Sequence, residues 1–309
     1  MTLRGLSQDP RHLQITVLAG LLLYGTAWLG FDTAPGRSAL ILATALVTQL
    51  IAGPLVGMPA FEPRSAVISG LSLCLLLRTP SDGVAVLAAV LAVGSKFAVR
   101  LRGKHVFNPT NFGIVVTVLS TGAAWISPGQ WGTSGILGFL LACLGMVVVH
   151  RALRSDVTLA FLGAYAAILF ARAARLGDPF AIPIHQLESG SLLLFAFFMI
   201  SDPKTTPDSR AGRLLFGALV AALSAYMQFA LYRPVAALPA LFLLSPLVPL
   251  VDRIAPGPRY QWPRGEDSPL ASKGAPHASP VTARLGVRAH ASVGPAGPGL
   301  LRVLRRQGG

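Results

Sequence analysis

Two short polar stretches interrupt an otherwise oily chain of 309 residues: Gly103–Gly113 (Gly-Lys-His-Val-Phe-Asn-Pro-Thr-Asn-Phe-Gly) and Ser201–Pro207 (Ser-Asp-Pro-Lys-Thr-Thr-Pro). Polar side chains and prolines at the edge of apolar segments are costly at membrane depth unless they line a cavity or hold a ligand. In the first stretch, Asn108-Pro109 is a helix-start signal, because Asn caps free N–H groups and Pro suits the first turn. A helix N-terminus facing the interior offers backbone donors and a partial positive charge to an anion such as a phosphate, with Lys104 and His105 beside it. In the second, Asp202 before Pro203 suits a turn, and Thr205 and Thr206 supply hydroxyls. Lys204, Arg210 and Arg213 are cations able to hold a phosphate or the Asp carboxylates. Each stretch equally suits a plainer reading: a basic loop before a capped helix, and a polar hairpin between two apolar segments.

Little else carries chemistry. Ser155-Asp156-Val157-Thr158 reads as a helix cap, and His185 and Glu188 as solvated interface residues. No HExxH, CxxC, Walker or GxSxG element occurs, and the glycines of Gly132–Gly135 are too weak a signal to use. Cys74 and Cys143 fall in apolar segments, where isolated thiols act as small fillers. No metal site is expected.

The elements that must position these residues are membrane helices. Hydrophobic residues make up 53% of the chain and charged ones 12%, about half the charge of an ordinary soluble domain. About 20 apolar residues cross the hydrocarbon at 1.5 Å per residue. The apolar runs predict an all-α polytopic membrane protein with about ten spans: 13–31, 38–56, 65–77, 84–99, 111–126, 135–149, 157–171, 190–200, 214–231 and 235–251. The third and eighth are short and run into Arg78-Thr79-Pro80 and Ser201-Asp202-Pro203. Short spans ending in Pro mark half-helices at a binding site, or ordinary spans with misplaced ends. The organisation expected is a cytoplasmic N-terminus (1–12), a membrane domain (13–252) and a basic, disordered cytoplasmic tail (253–309).

Grouping Lys and Arg by side puts 21 of the 26 with the termini, and 12 against 5 when only loops and the N-terminus are counted. The positive-inside rule therefore predicts cytoplasmic termini in a cell membrane. The formal charge of +14 follows from topology and tail, so no nucleic-acid partner is expected, while the tail is suited to touch anionic lipid. Met1–Pro10 is polar and the first apolar run is long enough to stay in the membrane, so no cleaved leader is expected.

Together the stretches resemble a known family. Gly103–Gly113 is similar to the GKxxFNPA motif of the RnfD membrane subunit of the Rnf electron-transport complex, with a looser version in the NqrB subunit of the sodium-pumping NADH:quinone reductase. Phe197–Pro207 resembles that family's FFMATDPVTSP, and Gly212–Gly217 its trailing Gly-x-x-x-(Phe/Tyr)-Gly. Ser155–Gly163 loosely resembles GETSALALLLGG, and His185–Gly190 the run-in to the eighth span.

The resemblance to this NQR2/RnfD/RnfE family implies two inverted five-helix repeats carrying flavin. It also implies flavin-linked electron transfer coupled to ion transport in a bacterial cell membrane, with other membrane and cytoplasmic redox subunits as partners. It makes Lys104, Asn108, Thr110, Asn111, Asp202, Lys204, Thr205 and Thr206 candidate contacts for FMN or riboflavin. A closer likeness, to divergent members in enediyne biosynthetic clusters, rests partly on Asp9–Ile15. The family's SGAT motif, which carries covalent FMN on a threonine, occurs nowhere in this chain. Thr121 and Thr133 are nearby hydroxyls outside that motif, so any flavin is expected to be non-covalent. The alternatives are a flavin-free transporter or accessory protein of natural-product biosynthesis, and a scaffold for other membrane enzymes.

Overall fold

Prolines and short polar caps decide where the helices begin. The computed structural model describes residues 9–57, 61–131 and 135–262. α1 (Pro10–Ala27), α2 (Pro35–Leu55), α3 (Pro63–Leu76) and α5 (Pro109–Thr121) all open on proline, where the missing N–H costs nothing. Ser81 caps α4 (Asp82–Ala98), and Ser209 caps α10 (Arg210–Phe229) by accepting the Gly212 N–H at 3.0 Å. α6 (Gly135–Arg151) and α7 (Ser155–Leu176) follow α5 in sequence. Gly122 (φ 59°) and Gly177 (φ 75°) end α5 and α7 in the left-handed conformation that glycine adopts without strain. The remaining helices are α8 (Ala181–Leu187), α9 (Gly190–Met199) and α11 (Ala237–Ile254). Two short antiparallel strand pairs interrupt the helices. β1 (Leu77–Arg78) pairs with β4 (Trp125–Ile126), and β2 (Arg100–Leu101) with β3 (Lys104–His105).

The ten expected crossings, and the two inverted five-helix repeats with them, do not hold. Among the described residues four helices are long and apolar enough to cross a membrane: α2, α7, α10 and α11. A fifth is added if α8 and α9, bent by 48° at their junction, count as one span. The reason is length. Apolar runs at 65–77, 84–99, 111–126 and 135–149 fold as α3, α4, α5 and α6, of 14, 17, 13 and 17 residues. Each falls short of the roughly 20 residues a crossing requires. α1 has 18 residues, but its first turn is Pro10-Arg11-His12. The runs read from hydropathy, 13, 16, 16 and 15 residues long, are themselves short of a crossing, and only α5, ended by Gly122, stops well before its run does. Of the expected tail, residues 263–309 lie outside the described residues, as does Thr133.

α3 and α9 sit at the centre. Every residue from Ser69 to Arg78 is buried, and so is every residue from Leu193 to Ser201. A helix apolar all round is a core helix, not a surface one. Around them, α10 packs along α7, and α4 lies between α2 and α5. Two glycines allow the close approaches. A Cβ on Gly113 would lie 2.7 Å from the Ala88 carbonyl and from Ala92 Cβ, and one on Gly217 2.9 Å from the Val157 carbonyl. α9 ends in a π-turn, with the Ile200 N–H donating to the Phe195 carbonyl at 3.0 Å. Such turns are concentrated at functional sites.

Gly113→Val should force α4 and α5 apart and destabilise the fold by about 1–3 kcal/mol. Gly94→Ala, where nothing lies within 4 Å, should be neutral or slightly stabilising. Thermal unfolding of the two detergent-purified variants checks this; equal melting temperatures would show that the α4–α5 contact tolerates extra volume.

Candidate functional site

The two polar stretches, far apart in sequence, meet at one end of the central helices. Asn108 caps α5 by accepting the Asn111 N–H on Oδ1 (3.0 Å). Its Nδ2 donates to Asp202 Oδ2 (3.3 Å) and to the Met199 carbonyl (3.4 Å) at the end of α9. Asp202 Oδ1 accepts the Lys204 N–H (3.0 Å), closing an Asx-turn. The Asp202 carbonyl accepts the hydroxyls of Thr205 (3.3 Å) and Thr206 (3.1 Å), and Arg154 Nε donates to Thr206 Oγ1 (3.1 Å). One residue thus organises the whole turn.

The β2–β3 hairpin supplies the facing side. Its two-residue turn, Arg102-Gly103, has positive φ at both positions (53° and 77°), which matches the twist of a tight hairpin. It presents Lys104, whose ammonium bridges Asp208 (2.9 Å) and Asp252 (2.7 Å), all three side chains being largely buried. Asp252 Oδ1 also accepts the Asp208 N–H (2.8 Å), so hairpin, loop and the end of α11 form one latch. Beyond α11 the chain turns back as a strap. Gly257 passes so close to Asp208 and Ser209 that a Cβ there would lie 2.6 Å from the Ser209 nitrogen. Lys204 Nζ donates to the Tyr260 carbonyl (3.1 Å), Arg154 stacks on the Tyr260 ring (4.9 Å), and Arg11 on Trp262 (4.8 Å).

These elements enclose a polar cavity of about 300 Å³, lined among others by Lys96, Lys104, His105, Asp202, Lys204, Tyr260 and Trp262. A second cavity of about 70 Å³ lies deeper, lined by Ser69, Ser72, Asn108, Thr110 and Phe198. Arg11, Ser65, Pro109, Asp202, Pro203 and Trp262 line both, forming their common wall. The first cavity carries hydrogen-bonding capacity the protein leaves unused. Gln49 Oε1 and His105 Nδ1 are buried and have no partner.

Charge is unevenly placed. Burial raises the Asp202 carboxyl above its ordinary value despite the opposing pull of Lys204 and Lys96. Burial lowers Lys204, with Asp202 acting the other way. Burial, reinforced by the charges of Arg100, Lys96 and Lys204, pushes the His105 imidazole down to about 4, so it is neutral at pH 7. At the rim, Arg11 pairs with Asp9 (2.6 Å) and Glu62 (2.7 Å), and Arg64 with the same two carboxylates. Burial acts to raise Asp9, but those guanidiniums overcome it and hold the carboxyl below its usual range.

The structure sorts the residues singled out in the sequence. Lys104, Asp202 and Lys204 line the larger cavity, and Asn108, Thr110 and Asp202 the smaller one. Thr205 and Thr206 spend their hydroxyls on the Asp202 carbonyl, and Asn111 is fully buried with both amide atoms unpartnered. Arg213 is committed to Asp156 (2.7 Å) and Arg210 is exposed, so neither lines a cavity. Sequence reasoning missed Gln49, Ser65, His105 as an acceptor, and the strap residues Tyr260 and Trp262. Lys96 was visible only as part of a basic run; its place in Ala92–Ala98, an apolar turn, is the signal that sets it apart. No group of three or more potential metal ligands occurs among the described residues.

Comparison with known proteins gives the same direction. The model of the NQR2, RnfD, RnfE family matches residues 117–260, a stretch that takes in the Ser201–Pro207 loop and reaches the strap. The chain is 40% identical over 93 residues to a subunit of the ion-translocating oxidoreductase complex of Stutzerimonas stutzeri, covering 29% of this chain and 25% of that one. It is 32% identical over 164 residues to the counterpart in Tolumonas auensis (53% and 46% covered), and 31% identical over 134 residues to the one in Escherichia coli (42% and 32%). The chain thus spans between a quarter and about half the length of these relatives. The narrower likeness to members from enediyne clusters finds no support among them.

Two changes test the site's internal bonding. Lys104→Met leaves Asp208 and Asp252 facing each other without a cation and should cost about 3 kcal/mol or more. Most of that loss should disappear when Lys104→Met is made in an Asp252→Asn background; equal losses in both backgrounds would show that the bridge is not what holds the latch. For His105, the unfolded chain takes up a proton near pH 6.5 and the folded chain only near 4. The stability it contributes is therefore full above pH 6.5 and is lost as pH falls toward 4, by on the order of 3 kcal/mol. His105→Gln should flatten the melting temperature across that window, and an unchanged profile would show that His105 is not the group titrating.

Proposed function

We propose that the chain belongs to the NQR2, RnfD, RnfE family, as these similarities support, and is an RnfD/NqrB-like integral component of a membrane electron-transport complex. In this reading it lies in the bacterial cell membrane with both termini cytoplasmic. It takes electrons from cytoplasmic and membrane redox partners through a non-covalent flavin, FMN or riboflavin, and the transfer is coupled to ion movement. The observation that carries the reading is the junction of the two motif loops. Asn108 and Asp202, 94 residues apart, join at 3.3 Å, with Asp202 on the wall shared by two cavities.

The residues present fit such a group. Phe97, Tyr260 and Trp262 bring aromatic rings to the cavity wall, each with a guanidinium near one face, while the unpartnered Gln49 Oε1 and His105 Nδ1 offer acceptors to a polar edge. Asp202, fixed by Asn108 and the Lys204 N–H, is oriented toward the same space. The strap at Tyr260–Trp262 limits water access from one side. A flavin supplies one- and two-electron transfer when bound. Non-covalent binding is supported by the missing SGAT motif and by Thr121, whose hydroxyl donates to the Thr117 carbonyl (2.8 Å) and accepts the Ala123 N–H (3.2 Å). The missing motif is also what favours the second reading, a flavin-free transporter or accessory protein.

The visible spectrum of detergent-purified protein, followed by acid precipitation, separates the readings. Flavin absorbance that moves to the supernatant is the expected result. Asp202→Asn should lower flavin occupancy several-fold, while Asp82→Asn, an exposed residue paired with Arg37, should not change it. Well-folded protein without flavin would leave the transporter reading standing.

A further inference from the structure

The larger cavity contains more positive charge than the protein neutralises. Of the cations that line it, Arg11 and Lys104 are paired with carboxylates. Lys96, Arg100, Lys204 and Arg259 also line it, and among the described residues none has a carboxylate within 4.0 Å in an ion pair. Against these four stands one unpaired carboxylate, Asp202.

Lys96 is the decisive member. It is 4% exposed, and its ammonium makes one hydrogen bond, to Ser65 Oγ at 3.1 Å, leaving two of its three donors unused. Burying a cation without a counter-charge is unfavourable, and burial pulls the Lys96 ammonium down to about 7, so an anion placed beside it would hold it in its charged form. Two further cations lie near Lys96 and the hairpin. Arg100 sits one turn beyond Lys96 and donates Nε to the Lys96 carbonyl (2.6 Å), and Arg259 Nη1 lies 3.7 Å from where a Gly103 Cβ would be. Asp202 is held by Asn108 and by the Lys204 N–H.

We infer that this cavity is a phosphate site, in which Lys96, Arg100 and Arg259 receive the dianionic phosphate of a small ester. A phosphate monoester carries close to two negative charges and three acceptor oxygens, which matches the unspent donors and most of the charge excess. The inference rests on the flavin reading only for the identity of the ester, in which case the cavity takes FMN in preference to riboflavin. The same chemistry occurs in the headgroup phosphate of an anionic lipid, and the two sources differ in what displaces them.

Binding of FMN and of riboflavin to the full-length, delipidated protein is measured by flavin fluorescence, and binding of radiolabelled inorganic phosphate by equilibrium dialysis. FMN should bind at least tenfold more tightly than riboflavin, and inorganic phosphate should displace it. Lys96→Gln should weaken both FMN and phosphate at least tenfold. Arg259→Gln, at an exposed position where folding is not at stake, should weaken them about threefold. Phosphate binding with these sensitivities but no flavin binding would overturn the flavin reading and keep the phosphate site. Displacement of phosphate by phosphatidylglycerol in nanodiscs, and not by soluble esters, would identify the source as lipid. Equal affinity for FMN and riboflavin with no phosphate binding would overturn the phosphate site and leave the flavin reading intact. Folded protein that binds none of the probes would overturn both.

Discussion

A helix that stops inside a protein leaves its last carbonyls without partners, and in a dry interior each of them is expensive. Two central helices of this chain stop in that way, and most of its polar chemistry answers them. At the end of α3, Arg78 folds back and donates to the Cys74 (2.8 Å) and Leu77 (2.7 Å) carbonyls, while Gln130 donates to that of Leu75 (2.7 Å). At the end of α9, Ser201 Oγ donates to the Phe197 carbonyl (2.5 Å) and Asn108 to that of Met199. The polar stretches that stand out in the oily sequence are therefore caps first.

That double duty explains which parts of the site were legible in the sequence. Asn108 and Asp202 were readable because capping residues next to proline have a local signature, and both proved to be hinge points of the site. Thr205 and Thr206 carried the same signature, yet their hydroxyls close the turn on the Asp202 carbonyl instead of facing a ligand. Type and spacing cannot tell an inward hydroxyl from a turn-closing one. Gln49, Ser65 and Lys96 carry no local signal beyond being polar in apolar helices. Their convergence depends on how α2, α3 and α4 pack, which is a property of the fold and not of any window of sequence. The helix count failed for a related reason: a short oily run reads alike whether its helix crosses a bilayer or, as with α3, is buried inside the protein.

The latch and the strap show how this chain fixes a polar site at one end of its central helices. Lys104 joins Asp208 and Asp252, so the hairpin, the loop after α9 and the end of α11 share one buried ammonium. Arg11, Glu62, Asp9 and Arg64 do the same for the starts of α1 and α3. Both clusters are paired internally, the first with one carboxylate to spare. The cations lining the cavity between them are not, and that contrast marks the space as one prepared for something from outside.

The strap has a consequence for how the molecule is made. Tyr260 and Trp262 come after every described helix, yet they wall a cavity whose other sides are built from α1 to α5 and the loop before α10. Chains emerge from the ribosome N-terminus first. The basic chamber is consequently assembled as an open bowl and stays open until α11 has been inserted and the next few residues have followed it. A ligand can enter during that interval without any wall having to move, and closing the chamber around it is among the last steps in completing the described fold.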